Sequence, residues 1–245
     1  MKGPEFRHIQ ACIFDLDGVI VDTARFHYQA WKKLADGLGI SFSEEDNERL
    51  KGISRMESLE ILLEIGGMSI SRAEMAELTD QKNKWYVDFV RAMTEDDVLP
   101  GVSDFLQELQ SHGVRVSVAS ASKNAQLVLQ QVGLIDVFDA VSDGRMVKRA
   151  KPDPEIFLHS SSQLGIPASN CLVFEDAAAG IEAAQRAGMV TVGVGSERSL
   201  KDADAIIPGF AGLTIHQLCS KAFRNGTIEI EFGKEDDNAE KAKIL

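Results

Sequence analysis

Two aspartates, Asp15 and Asp17, stand two residues apart at the end of the apolar run Ala11-Cys12-Ile13-Phe14, with Gly18 directly after them. The run is short and apolar at every position, which predicts a fully buried parallel strand. The carboxyl end of such a strand is where an open α/β sheet binds its ligands. Gly18 permits a sharp bend that lets both carboxylates converge on one point, and converging anions need a cation or a proton between them. Taken alone, the pair also reads as a turn carrying two solvated aspartates. Three more groups favour chemistry. Ser120-Ala121-Ser122-Lys123-Asn124 follows the apolar segment 114–119, and its backbone N–H groups open a helix, a natural cradle for phosphate. Lys151 precedes Pro152, and Glu175-Asp176 follows the apolar run 171–174. Hard carboxylate oxygens beside a lysine and a phosphate cradle suit Mg²⁺, which keeps waters and substrate phosphate in its shell. The chemistry they fit is phosphoryl transfer, which asks for positioning and charge neutralisation more than for a strong nucleophile.

The elements that must hold these groups follow from the pattern. Between residues 24 and 95 the apolar spacing is helical throughout: helices over 24–38 and 43–50, one opened by the Ser54-Arg55-Met56-Glu57 capping box and stopped at Gly66-Gly67, and one over 71–93. Beyond Leu99-Pro100-Gly101, strands alternate with helices. Strands are expected at 114–119, 140–141, 171–174, 190–194 and, at an edge, 205–207; helices at 102–112, 125–132, 155–164 and 177–187. Alternation of this kind predicts an α/β fold with a doubly wound parallel sheet, a Rossmann-like core carrying an inserted all-helical cap domain. The expected division is a discontinuous catalytic core of residues 1–23 and 96–223, a helical cap of 24–95, and a tail of 224–245. In that tail 227–232 alternates like an exposed strand, and the charged residues beyond it predict disorder. Gly193-Val194-Gly195 lacks the third glycine and the following helix of a dinucleotide site.

The helical block also carries candidates. Thr23, His27 and Trp31 are spaced to share one helix face beside the aspartates. His27 reads equally as a satisfied surface histidine and Trp31 as core. Arg55 lies in the first turn of a capped helix, where anions are favoured, against the plain reading of a solvated charge. Lys51-Gly52 is a place for backbone to approach a ligand. Lys82, among Asp80, Lys84 and Asp88, reads on its own as helix surface.

Four motifs taken together, D-x-D-G-V from Asp15, S-A-S from Ser120, K-P at Lys151 and E-D at Glu175, resemble those of the haloacid dehalogenase-like phosphotransferases, over roughly residues 9 to 210. The resemblance implies that Asp15 is a nucleophile forming an aspartyl-phosphate and Asp17 the general acid/base. It implies that Ser120 and Lys151 clamp the transferring phosphoryl group, and that Asp15, Glu175, Asp176 and the Asp17 carbonyl hold Mg²⁺. L-K-G-I-S-R-M-E-S at 50–58, with His27, Trp31, Lys82 and S-A-S-K-N at 120–124, is similar to the sugar-phosphate mutases of that superfamily. This second resemblance implies a catalytic set of Asp15, Asp17, Thr23 and Lys151. It implies a substrate set of His27, Trp31, Lys51, Gly52, Arg55, Ser58, Lys82, Ser120, Ala121, Ser122, Lys123 and Asn124. The implied reaction interconverts β-D-glucose 1-phosphate and glucose 6-phosphate, with glucose 1,6-bisphosphate as intermediate and activator. A sugar-phosphate phosphatase, or a mutase for another β-glucosyl 1-phosphate, shares these motifs. A silent sugar-phosphate sensor is disfavoured because nucleophile and metal ligands are all present.

Bulk properties narrow the partners. At 245 residues the chain can bury a substantial core, and 44% apolar with 26% charged residues is ordinary for a globular protein. A net charge of −12 disfavours nucleic acid and anionic membrane surfaces. The first ten residues hold no apolar signal core, and no run of about 18 apolar residues is present to span a bilayer. Cys12 and Cys171 sit in strand-like runs and read as buried thiols, so a monomer in the reducing cytoplasm acting on a small sugar phosphate is expected.

Overall fold

The computed structural model describes residues 5–221 and 223–233. The chain runs β1 (Glu5–Ile9) and β2 (Ala11–Phe14), then four helices, α1 (Ala24–Leu38), α2 (Glu44–Glu48), α3 (Arg55–Ile65) and α4 (Arg72–Val90). It continues through α5 (Val102–Ser111), β3 (Arg115–Ala119), α6 (Ala125–Gln131), β4 (Ala140–Ser142), α7 (Glu155–Leu164) and β5 (Cys171–Glu175). Then come α8 (Ala178–Arg186), β6 (Val190–Val194), α9 (Glu197–Leu200), β7 (Ala205–Ile207), α10 (Ile215–Cys219) and β8 (Ile228–Phe232).

Six strands form one parallel sheet in the order β4-β3-β2-β5-β6-β7. β2 lies at its centre, and its side chains alternate between two apolar layers. Cys12 and Phe14 enter one cluster with Phe105, Phe174 and Phe210, while Ala11 and Ile13 enter the other with Phe157 and Val173. Helices cover both faces, which is why the strand is apolar at every position. Phe14 stacks on Phe174 of the neighbouring strand with ring centroids 4.8 Å apart, fixing the register of the two strands whose ends carry carboxylates.

The helices α1–α4 enclose an apolar cluster of their own, with Trp31, Leu34, Leu59, Leu62 and Met75 at its heart. Two capping boxes, Ser54 with Glu57 and Ser71 with Glu74, start α3 and α4 as the sequence predicts. α4 ends at Val90, three residues before the predicted stop. The two chain segments joining this block to the sheet run side by side. The amide of Asp22 donates to the Asp97 carbonyl at 3.1 Å and that of Leu99 to Ile20 at 2.9 Å.

Two features differ from the sequence expectation. Residues 5–9, unassigned in the sequence, form β1. The tail strand forms as β8 but is not an exposed one: it pairs in parallel with β1 and buries Ile228 and Ile230 in the main core. The alternation that suggested an exposed strand reflects one face on the core and Glu229 and Glu231 in solvent. The charged residues 234–245 lie outside the described residues.

Candidate active site

The bend after β2 is built by backbone bonds. The Asp15 amide donates to the Phe174 carbonyl at 2.9 Å, continuing the ladder, and the Leu16 carbonyl accepts from Ile20 at 3.0 Å. Gly18 has φ +83°, and a Cβ there would meet Asp176 Oδ2 at 2.4 Å. Only glycine allows both the left-handed backbone and the approach of Asp176. Gly180 plays the matching part on α8, where a Cβ would stand 2.0 Å from the Glu175 carboxyl carbon.

Lys151 is the buried hub. Its Nζ donates to Asp15 Oδ1 and, at 2.9 Å, to Glu175 Oε2, with the lysine and glutamate side chains wholly buried. Burial pushes the lysine's pKa down, but the Asp15 and Glu175 charges outweigh it and the net shift is upward. Glu175 is pushed well up by burial and by Asp15. Asp15 is raised by burial against the pull of Lys151, and Asp176 is pushed up to about 7 by burial and by Asp15. One carboxylate oxygen from each of Asp15, Glu175 and Asp176 lies within 4.8 Å of the others. Crowded, buried acids whose proton affinity is raised for want of positive charge are a fitting donor set for a hard divalent cation. Magnesium bound there would supply positive charge to a phosphoryl group and to these acids.

Asp17 lines the same cavity as Asp15 but has a different set of partners. Its carboxylate accepts from Thr23 Oγ1 and lies 3.5 Å from both His27 Nε2 and the Tyr86 hydroxyl. Thr23 occupies the N-cap of α1 yet makes no capping bond, because its hydroxyl is turned to Asp17. Burial alone would raise the Asp17 pKa; His27, Thr23 and Lys82 together bring it below the usual value. The two carboxylates are therefore driven apart, Asp15 up and Asp17 down, a pattern that separates their roles. The Asp17 side chain is not part of the acidic cluster, leaving its main-chain carbonyl as the group expected to join a metal shell.

Behind Asp17 lies a buried relay. Lys82 Nζ and His27 Nδ1 share a hydrogen bond at 2.8 Å, and the other ring nitrogen, Nε2, is the one that faces Asp17. The ammonium lies 4.7 Å over the Trp31 ring and 5.1 Å over Tyr86. Lys82 is only 2% exposed, contrary to its reading as helix surface, and burial together with Arg55 depresses its pKa well below normal. His27 is likewise lowered, by burial and then by Lys82, against the pull of Asp17.

A cavity of about 900 Å³, its open mouth included, joins these groups. Of the sequence candidates, Asp15, Asp17, His27, Trp31, Lys51, Gly52, Arg55, Ser58, Lys82, Ala121, Ser122, Lys123, Asn124 and Asp176 line it. Lys51 bridges to Asp176 at 3.6 Å. Thr23, Ser120, Lys151 and Glu175 are fully buried just behind the wall and do not line it. Ser120 Oγ there accepts from the Ser122 amide at 3.1 Å, shaping the cradle. Two residues escaped the sequence reading. Asn83 lines the cavity and bonds both Arg55 and Asn124, and the Tyr86 ring packs tilted against His27 with centroids 4.1 Å apart. Tyr86, one turn beyond Lys82, shares its helix face, which was its one sequence signal; Asn83, next to Lys82 in sequence, lies off that face and carried none.

A central parallel sheet carrying a lysine-bridged acidic cluster at its carboxyl edge, under a helical block, defines the chain as a phosphotransferase. It belongs to the haloacid dehalogenase-like hydrolase family, which matches residues 9–188. The chain is 42% identical over 212 residues to the β-phosphoglucomutase of Bacillus subtilis (strain 168), covering 86% of this chain and 94% of that one. It is 32% identical over 186 residues to the fructose-1-phosphate phosphatase YqaB of Escherichia coli (strain K12), covering 74% of this chain and 94% of that one. The crystal structure of a β-phosphoglucomutase from Clostridium difficile superimposes with a TM-score of 0.82 at 44% identity, over 86% of this chain and 95% of that one. Among the described residues no helix is long and apolar enough to cross a membrane.

Proposed function

We propose that this chain is a Mg²⁺-dependent β-phosphoglucomutase. In this reading it interconverts β-D-glucose 1-phosphate and glucose 6-phosphate through an aspartyl-phosphate on Asp15 and β-glucose 1,6-bisphosphate. The observation that carries the reading is a single cavity with anion-handling groups in two places. Asp15 with Lys151 behind it serves one phosphate, and Arg55, Lys123 and Asn124 serve the other. The identity to mutases of that name supports the choice of sugar.

The residues act in order. A sugar hydroxyl oxygen attacks the phosphorus on Asp15; the bond from phosphorus to the aspartyl oxygen breaks, and the hydroxyl proton passes to Asp17. Asp17 is suited to this step because Thr23 and His27 hold it ionised. The bisphosphate turns end for end within the cavity. Asp15 then attacks the other phosphorus, and Asp17 returns its proton to the departing sugar oxygen. Residues 24–95 serve as the lid that keeps water from the phosphoenzyme, hinged where the 20–22 and 97–99 segments pair. Cys12 and Cys171, both buried free thiols, suit a reducing cytoplasm. Among the described residues, the large exposed apolar side chains Phe6, Met68, Met146 and Leu158 fall on four separate segments, which supports a monomer.

The test is phosphorus NMR of β-glucose 1-phosphate with the protein, Mg²⁺ and a trace of bisphosphate. Glucose 6-phosphate should appear without inorganic phosphate. Inorganic phosphate released in step with substrate loss identifies a phosphatase instead, and inertness toward this sugar with turnover of another β-glucosyl 1-phosphate changes the substrate.

A further inference from the structure

We propose that Asn83 is the positioning residue that locks the distal phosphate grip together and ties the helical block to the sheet. The inference rests on the two-phosphate reading above and extends it to a residue outside the motifs that suggested it. The Asn83 side chain projects from α4 into the cavity wall, and its Oδ1 accepts two hydrogen bonds: from Arg55 Nη2 at 2.8 Å and from Asn124 Nδ2 at 2.8 Å. Arg55 opens α3 within the helical block, and Asn124 precedes α6 on the sheet side. One oxygen atom thus joins both halves of the protein at the far end of the cavity.

The chemistry fixes which atom faces which partner. A guanidinium has no acceptor, so the Asn83 atom that meets it must be the oxygen. That oxygen then demands the amide nitrogen of Asn124 rather than its oxygen. The bridge still leaves donors for a ligand. Arg55 keeps its remaining guanidinium N–H groups, and Asn124 keeps one amide hydrogen. Asn83 therefore need not be displaced by phosphate; it orients both donors before phosphate arrives. It is also neutral, which matters: an acceptor strong enough to hold Arg55 but carrying a charge would compete with the ligand. Tyr86, one turn further along α4, brings its hydroxyl to 3.5 Å from Asp17, and α4 packs against α6, so α4 meets the sheet side of the protein at Asp17 as well as at Asn124.

Two consequences follow. Loss of the bridge loosens the hold on the non-transferring phosphate, and it frees the lid so that water reaches the phosphoenzyme. The test compares Asn83→Ala with Asn83→Asp, using the full chain with Mg²⁺. The alanine variant is expected to raise KM for β-glucose 1-phosphate about tenfold, as loss of a bond to a charged group implies, with a smaller change in kcat. It should also release roughly tenfold more inorganic phosphate per isomerisation, and show faster deuterium uptake over residues 122–128 in the free protein. The aspartate variant keeps both acceptor bonds, so its uptake should match the unmodified protein, while its charge raises KM at least as much. A residue of merely structural value would treat the two substitutions alike. Alanine leaving KM, phosphate release and uptake within twofold of the unmodified protein overturns the inference, as does one pattern shared by both variants. If the unmodified protein fails to isomerise the sugar at all, the functional reading falls, and uptake with the affinity for inorganic phosphate still judges the bridge by the same alanine-versus-aspartate contrast.

Discussion

Replacing Lys151 with methionine isolates the electrostatic part of the site. The lysine Nζ lies between the carboxylates of Asp15 and Glu175, with its stem packed near Phe157, whose ring centroid is 4.9 Å from the nitrogen. Methionine fills much of the same volume, so the packing persists and only the cation and its two hydrogen bonds are lost. Removing one partner from a buried ion pair destabilises by about 3–5 kcal/mol, because the other charge stays buried without compensation. Here two carboxylates are stranded, but each can take a proton instead, at about 1.4 kcal/mol per unit of pKa shift. Both acids already lie above their ordinary values through burial, and loss of Lys151 raises them further. A carboxyl group whose folded-state pKa is raised above the unfolded value favours the fold when protonated. That contribution is present at low pH and lost as pH rises through the folded-state value. The deficit of Lys151→Met should therefore be about 1 kcal/mol near pH 5 and about 4 kcal/mol near pH 8. Urea unfolding followed by circular dichroism, in EDTA to exclude divalent ions, measures it. Adding Glu175→Gln should restore part of the loss at the higher pH. A deficit that is flat across this range, or below about 1 kcal/mol at pH 8, refutes the view of Lys151 as the neutraliser of two buried acids.

Asp17→Asn removes the proton acceptor while keeping the shape. Turnover of the sugar phosphate should fall by about 10² to 10⁴, while an acyl phosphate, whose leaving group needs no proton, should still phosphorylate Asp15; equal loss with both donors in rapid-quench assays argues against the acid/base role. Asp176, pushed up to about 7 by burial and by Asp15, must lose its proton before binding a cation. Calorimetric Mg²⁺ affinity should fall by up to about tenfold per unit below pH 7 and level off above it, and a constant affinity from pH 6 to 8 contradicts the assignment. Ile230→Ala should lower stability by about 2–4 kcal/mol in urea melts while leaving kcat and KM unchanged, since Ile230 is buried in the core but absent from the cavity wall. A change in KM would place β8 in communication with the site.

Much of the site was legible because it depends on short-range pattern. The apolar run at Ala11–Phe14 names a buried strand, the bend at Gly18 follows from residue type, and the Ser54 and Ser71 boxes start their helices where the spacing says. What failed was everything that required knowing which side of an element meets another. Lys82 sits among charged neighbours and looks solvated, yet the face of α4 that carries it with Tyr86 turns inward onto α1 and Asp17. β1 escaped for the same reason, and β8, though read as a strand, escaped in its pairing and burial. Neither is a strand on its own; each is one because the other, more than two hundred residues away, supplies its hydrogen bonds.

The sequence by itself determined the strand–helix alternation of the six-stranded sheet, the positions where carboxylates and a lysine leave it, and with them the class of chemistry. Periodicity, capping and glycine placement act over a few residues and can be read locally. The tertiary structure decided which charges lose water. It sank Lys151 between two acids, turned Thr23 from a helix cap into a partner of Asp17, and brought Asn83 within reach of both Arg55 and Asn124. Desolvation and close approach are properties of the packed chain, because the strength of a charge or a hydrogen bond is set by what surrounds it in space.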